Sequence, residues 1–289
     1  VNTLAEAVGE AAAVLAEAGV PTPRRDAQVL IAHALGADRC LVTGHPERPL
    51  TEVERRAFQG LIARRRAREP VSQIVGAREF WSLCFRVTRD TLTPRPESET
   101  LVEAVLARVD RAAPLRVLDL GTGSGCLLLA LLSELPNATG VGIDRSARAL
   151  AVAAGNAASL GLADRSTFVV GDWGTAMARP FDVIVANPPY VPSSDLPFLD
   201  REVSEWERNS ALDGGPDGLD AYRAILPDLP RLLAPDGLAA LEVGHGQADA
   251  VVALASLAHA GTVPDLAGIP RCVLLGRAKL PLGNQREVH

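Results

Sequence analysis

The chain has 289 residues, 47% hydrophobic and 22% charged, a globular composition long enough for one large domain or two moderate ones. Its formal net charge is −6 with a pI near 5.5, which disfavours a protein living on nucleic-acid phosphate, DNA included. Cys40, Cys84, Cys126 and Cys272 are far apart and make no zinc spacing with the scattered histidines, so no metal is expected and the thiols read as reduced and cytoplasmic.

The first ten residues carry Glu6 and Glu10 and lack a basic stretch followed by an apolar core, so no signal peptide is expected there. No apolar run reaches membrane-spanning length. Leu4, Val8, Ala11 and Leu15 recur at helical spacing, and Gly19-Val20-Pro21 ends that helix. Asp26 to Leu35 predicts a second helix. Thr51 with Glu54 forms a capping box before a third, which runs to about Arg68 and stops at Pro70. These predict a small helical domain over residues 1–76. Residues 1–80 hold 11 Lys/Arg against 10 Asp/Glu, net +1, which leaves −7 for the rest of the chain. Arg55, Arg56, Arg64, Arg65, Arg66 and Arg68 concentrate on the third helix, as a solvated basic face or as a docking face for an acidic partner or RNA.

Phe80 to Arg89 alternates weakly and predicts a short hairpin within a linker over 77–95. Thr93-Pro94-Arg95-Pro96-Glu97-Ser98-Glu99 then gives an extended entry to a helix carrying Leu101, Val102, Val105 and Leu106. From Leu115 strand and helix patterns alternate. Strands are expected at Arg116–Leu120, Thr139–Ile143, Thr167–Val170, Phe181–Ala186 and Gly237–Val243. Helices are expected at Leu127–Leu135, Ala147–Leu160 and Ala221–Leu233. That alternation predicts an α/β domain over 96–280, mostly parallel with helices on both faces. Arg271–Leu275 follows a loop and is expected to pair antiparallel at the sheet edge. Residues 281–289 read as a loose tail.

Asp119-Leu120-Gly121-Thr122-Gly123-Ser124-Gly125 joins the first strand to a helix. Its glycines allow a tight turn and close approach of a ligand. The spacing is G-x-G-x-G rather than the dinucleotide pattern G-x-G-x-x-G. The preceding acid suits an ammonium or sulfonium better than a pyrophosphate. Asp144 ends the second strand and can accept hydrogen bonds from both hydroxyls of a ribose. Asp172-Trp173 follows the third strand and offers an acceptor and a flat ring to an adenine. Each piece also has a plain structural reading: a turn, a helix cap at Asp144-Arg145-Ser146, a core aromatic. Together, at successive strand ends, they point to one ligand, S-adenosylmethionine, with S-adenosylhomocysteine as product.

Asn187-Pro188-Pro189-Tyr190 follows the fourth strand, where ligands bind in open α/β sheets. Two prolines stiffen the backbone. The Asn187 side chain and the Pro188 carbonyl supply acceptors, and Tyr190 can cover a flat face. The turn is thus a holder for an amino group on a conjugated system, an amide or a nucleobase.

These residues, with Arg68-Glu69-Pro70-Val71-Ser72-Gln73, Glu79-Phe80-Trp81, Pro94–Glu99 and Asp217-Gly218-Leu219, resemble the HemK/PrmC-type protein-(glutamine-N5) methyltransferases across almost the whole chain. The resemblance implies a class I, Rossmann-like methyltransferase sheet, mostly parallel with an antiparallel edge strand, behind an N-terminal substrate-docking domain. It implies cofactor contacts from Asp119, Gly121, Thr122, Gly123, Ser124, Gly125, Asp144, Asp172, Trp173 and Asn187. It further implies that Asn187, Pro188, Pro189 and Tyr190 hold the substrate, with Asn187, Pro188 and Tyr190 as the catalytic set. The implied substrate is the Gln of the Gly-Gly-Gln loop of peptide chain release factors, acted on by a cytoplasmic monomer with no membrane or DNA partner. A ribosomal-protein glutamine and the exocyclic amines of adenine or guanine are alternatives. Thr93 stands where the family usually has an aliphatic residue, and Glu207-Arg208 where it usually has Glu-Pro.

Overall fold

A computed structural model describes residues 3–277 as two compact units. The expected tail over 281–289 lies outside the described residues. The first unit comprises the chain up to Ala77 together with Asp200–Trp206; the second runs Arg78–Leu199 and resumes at Glu207.

The first unit holds α1 (Leu4–Glu17), α2 (Pro23–Ala34), α3 (Arg39–Gly44), α4 (Glu52–Arg66) and α5 (Val71–Val75). Thr3 and Thr51 cap α1 and α4 through capping boxes with Glu6 and Glu54, satisfying the first orphan amides. Pro23 opens α2, where its missing N–H costs nothing. Leu4, Leu15, Leu30, Ile31, Phe58 and Ile62 form the core. α4 ends two residues earlier than expected, because Arg68 takes a left-handed φ of 68° that no helix continues.

The arginines of α4 are largely spent inside this unit. Arg65, buried, donates to Asp26 at 2.7 Å and to Glu202 at 2.8 Å. Arg68 pairs with Glu202 and caps the Gly19 carbonyl at 2.7 Å, and Arg64 pairs with Glu69 at 2.6 Å. Arg55 and Arg56 pair with Glu52 on the exposed side. Glu202 lies on α9 (Arg201–Ser204).

Apart from Ala77, the hairpin of β1 (Ala77–Phe80) and β2 (Leu83–Arg86) belongs to the second unit and starts a few residues earlier than expected. Trp81 and Ser82 turn it with φ of 52° and 57°. Glu99 accepts the Trp81 backbone N–H at 2.8 Å and Glu134 the indole N–H at 2.9 Å, which holds this unusual conformation. α6 (Glu99–Leu106) follows one 3-10 turn, Pro96–Ser98.

The sheet is then built from β3 (Arg116–Leu120), α7 (Cys126–Glu134), β4 (Thr139–Asp144), α8 (Ala147–Ser159), β5 (Ser166–Val170) and β6 (Phe181–Ala186). After α9 come α10 (Asp220–Ile225), α11 (Leu229–Leu232), β7 (Leu233–Glu242), α12 (Ala248–Leu254), β8 (Ala258–Pro264) and β9 (Pro270–Gly276). The strand order is β5-β4-β3-β6-β7-β9-β8; β3 to β7 are mutually parallel, and β9 runs antiparallel to both its neighbours. Central strands such as Val183–Ala186 are wholly buried, with apolar clusters on either face of the sheet.

Two local expectations are corrected. Ala221–Leu233 is not one helix: Pro227 has no N–H to continue the ladder, so α10 and α11 are separate. The antiparallel strand β9 lies one place in from the edge, because β8, which the sequence pattern did not announce, covers its outer side.

Candidate active site

Parallel pairing sets Leu120 beside Ile143 and Ala186, and Asp144 beside Val170. The segments that leave these strands therefore open on one edge of the sheet. There a cavity of about 430 Å³ lies within the second unit.

The Asp119–Gly125 loop forms one wall. Gly121, Gly123 and Gly125 have φ of 75°, 54° and 81°, which side chains rarely adopt. At Gly125 a Cβ would also sit 3.2 Å from Ala153 and Leu129, so glycine lets α7 and α8 close together. The amides of Gly121 and Thr122 both donate to the Ile143 carbonyl at 2.9 Å. Asp119 is buried; its Oδ2 accepts the Thr122 hydroxyl at 2.6 Å, while its Oδ1 makes no hydrogen bond of ordinary geometry. Burial pushes its carboxyl up to about 7, against the pull of the Thr122 hydroxyl and the Leu128 amide. A buried acid with one unused oxygen, lining a cavity, fits a cationic ligand group such as an ammonium.

Asp144 accepts the Gly123 amide at 3.0 Å through Oδ2 and the Ser146 amide at 2.8 Å through Oδ1. The helix cap proper is Ser146, whose hydroxyl accepts from Ala149 at 3.2 Å. Each Asp144 oxygen keeps a second lone pair, so a ribose diol still finds acceptors there. Trp173, with φ of 48°, lies over the loop: a Cβ on Gly121 would meet its ring at 3.4 Å. Trp173 is partly buried and also packs against the apolar cluster that contains Leu118, Leu120 and Ile143. Asp172 beside it is exposed.

Asn187 leaves β6 next to Glu242 at the end of β7, since Ala186 pairs with Leu241. Its Nδ2 donates to the Ser98 hydroxyl at 3.0 Å, which in turn donates to Glu242 Oε2 at 2.5 Å. Tyr190 donates to the other Glu242 oxygen at 3.3 Å. Burial and the neighbouring Glu242 push the Tyr190 phenol well above its ordinary value, so it stays protonated at neutral pH. Gln247 fixes the turn from outside by donating to the Tyr190 carbonyl at 2.9 Å.

Thr91–Arg95, Arg208, Ser210 and Ala211 also line the cavity. Arg95 pairs with the buried Glu207 at 2.5 Å, and Thr93 adds hydrogen bonds from its amide and hydroxyl to the same carboxylate. Arg208 pairs with Asp90, and Arg145 donates to the Ser210 carbonyl at 2.7 Å. Thr93 and Glu207-Arg208 are therefore bonded features of the site, the threonine hydroxyl supplying one donor that an aliphatic side chain lacks.

Of the residues expected at the site, Asp119, Gly121, Thr122, Gly123 and Ser124 line the cavity. So do Asp144, Asp172, Trp173, Asn187 and Pro189. Gly125, Pro188 and Tyr190 belong to the same segments but are not among the residues that line it. Ser98 and Glu242 were not expected. The signal for Glu242 was a lone acid inside the apolar run Leu238–Val243; for Ser98 there was only its place in Pro94–Glu99. Among the described residues no cluster of His, Cys, Asp or Glu could hold a metal ion, and no helix is long and apolar enough to cross a membrane.

Comparison with known proteins agrees with this layout. Residues 6–76 match the PrmC N-terminal domain family and residues 112–242 a methyltransferase domain family. The release factor glutamine methyltransferase of Rhodospirillum rubrum is 50% identical over 265 residues, 90% of this chain and 81% of that one. The protein of the same name from Cereibacter sphaeroides is 46% identical over 280 residues, 96% and 98% of the two chains. A methyltransferase structure from Pyrococcus furiosus superposes with a TM-score of 0.52 at 14% identity, covering 76% of this chain and 98% of that one, a likeness of fold.

Proposed function

The chain belongs to the release factor glutamine methyltransferase family, and we propose that it moves a methyl group from S-adenosylmethionine to the side-chain amide nitrogen of the Gln in the Gly-Gly-Gln loop of peptide chain release factors. The observation that carries this reading is that Asn187 lines the same cavity as Asp119, Asp144 and Trp173. A group held by the Asn-Pro-Pro-Tyr turn then lies beside a ligand held at the strand ends. The names of the relatives select a release-factor glutamine over the other amino groups that such a turn could grip.

S-adenosylmethionine, when bound, supplies an electrophilic methyl on a sulfonium. Asp119 is the residue to hold the ammonium, Asp144 the ribose hydroxyls, and Trp173 with Asp172 the adenine. The glutamine nitrogen is a poor nucleophile because its lone pair is delocalised into the carbonyl. The Asn187 side-chain oxygen and the Pro188 carbonyl each accept one of its N–H bonds, which aims the lone pair across the cavity. Neither Tyr190, held protonated, nor any other side chain of the turn is a base, so the amide reacts neutral and loses its proton after transfer. Catalysis is mainly orientation, an effect that can reach roughly 7–11 kcal/mol in favourable cases. The reaction belongs to the compartment of translation, the cytoplasm, and we take the enzyme to act as a monomer.

The experiment offers methyl-labelled S-adenosylmethionine with purified release factors, ribosomes or DNA, and locates the label by mass spectrometry. Label on the Gly-Gly-Gln glutamine is expected. Label confined to a ribosomal protein or to a nucleobase would overturn the substrate assignment.

A further inference from the structure

One buried acid at the site has no part in holding either reactant. Glu242 ends β7 with 1% of its surface exposed, and its two carboxylate oxygens receive the Ser98 and Tyr190 hydroxyls. A second tyrosine, Tyr222, fixes the backbone at this point by donating to the Glu242 carbonyl at 2.7 Å. Both side chains of the Asn-Pro-Pro-Tyr turn that carry polar atoms are thus tied to one carboxylate, Tyr190 directly and Asn187 through Ser98.

The tie has a direction. A hydroxyl has one proton, and Ser98 gives its proton to Glu242. Toward Asn187 it offers only a lone pair, which an N–H can take and a carbonyl oxygen cannot. Asn187 Nδ2 donates to it at 3.0 Å, and the planar amide then turns Oδ1 away from Ser98. Without the tie the two ends of the amide are nearly the same size, and either could face the substrate.

We propose that Glu242, acting through Ser98, is a positioning residue that decides which end of the Asn187 amide faces the substrate, and that its second oxygen keeps Tyr190 on the same turn. This rests on the reading that Asn187 accepts a substrate N–H. With the Nδ2 end outward, two donors would oppose each other and the substrate amide would not seat. The device works while Glu242 is ionised. A proton on Glu242 lets it donate to Ser98, frees the Ser98 proton for Asn187 Oδ1, and so permits the reversed amide. Burial is the largest influence on the Glu242 carboxyl and raises it; the Ser98 and Tyr190 hydroxyls and Arg271 on β9 favour the ionised form, Glu97 opposes it, and the other titratable groups that face it are Tyr222 and the thiols of Cys272 and Cys126, which burial keeps neutral. An acidic limb in kcat follows, while cofactor affinity is unaffected by this device.

Three variants of the full chain test this. Ser98→Ala is expected to lower kcat about tenfold or more with cofactor Kd changed less than about threefold, and Ser98→Thr, which keeps the hydroxyl, to recover most of the loss. Glu242→Gln should lower kcat likewise and remove the acidic limb. A readout independent of substrate is the Asn187 side-chain amide in 15N-resolved NMR of the cofactor-bound protein. Its protons are expected to be protected from exchange in the wild type and to lose protection in Ser98→Ala. Unchanged kcat and unchanged protection in Ser98→Ala would overturn the proposal. So would equal losses in Ser98→Ala and Ser98→Thr. Should Glu242→Gln fail to fold, Ser98→Ala and the amide signal decide alone. If the wild type transfers no methyl to a release factor, the function above fails, and the NMR comparison still tests the tie.

Discussion

Arg95 and Glu207, 112 positions apart in the chain, form an ion pair at 2.5 Å beside the cavity, with the glutamate side chain 2% exposed. Thr93 completes the set by bonding the same carboxylate. Burial raises the Glu207 carboxyl above its usual range despite these partners. Removing the glutamate would leave Arg95 and Thr93 without their acceptor. Glu207→Ala should therefore destabilise the protein by about 2 kcal/mol, less than a fully buried pair because Arg95 is partly exposed. Because Thr91–Arg95 lines the cavity, the variant should also weaken cofactor binding; thermal denaturation and calorimetry check the two effects.

Asp119 makes cofactor affinity depend on pH. Its carboxyl is raised to about 7 in the free protein, so the proton must leave before the acid can pair with a ligand ammonium. Affinity should be constant above this value and fall as pH drops through it, approaching about tenfold per pH unit. The stability effect of the same group has the opposite sign. The folded state binds the proton more tightly than the unfolded chain, so this contribution to stability shrinks as pH rises from about 4 to about 7. Calorimetric titration over pH 5.5–8 checks the affinity, and Asp119→Asn should flatten the profile.

Gly142 lies under the glycine loop. A Cβ there would meet the Thr122 hydroxyl at 2.8 Å and the Phe168 ring at 2.9 Å. Gly142→Ala must displace Thr122, the residue that holds Asp119. A loss of about 1–3 kcal/mol in urea denaturation is expected from the overpacking, with weaker cofactor binding.

Glu202 does for the first unit what Glu207 does for the second. It accepts from Arg65 at 2.8 Å and pairs with Arg68, and the Arg65 side chain is only 5% exposed. Its carboxyl sits below the usual range: burial opposes this, but the two arginines outweigh burial. Glu202→Ala should cost about 3 kcal/mol by leaving Arg65 with Asp26 as its one carboxylate beside the Glu69 carbonyl, seen as a lower melting temperature.

The parallel strands were legible in the sequence because each is a short apolar run between turn formers, as in Phe181–Ala186, and such runs have little choice but burial. The strand-end residues Asp119, Asp144 and Trp173 followed from that alternation. β8 was hidden because Ala258–Pro264 is a half-exposed outer strand with no apolar periodicity. The roles of Ser98 and Glu242 were hidden for another reason. They meet across 144 positions, and no local pattern carries a contact made by sheet topology. The basic third helix shows the limit of reading charge from sequence. Arg65 and Arg68 look like surface charge until Asp26 and Glu202 are brought to them.

The central claim is that Asn187 holds the amide nitrogen for methyl transfer. Single-turnover transfer from S-adenosylmethionine to a purified release factor, measured for Asn187→Ala alongside cofactor Kd, tests it most directly. The account predicts a rate lower by about 10²–10³-fold with cofactor affinity nearly kept. A rate close to wild type on that substrate would contradict it.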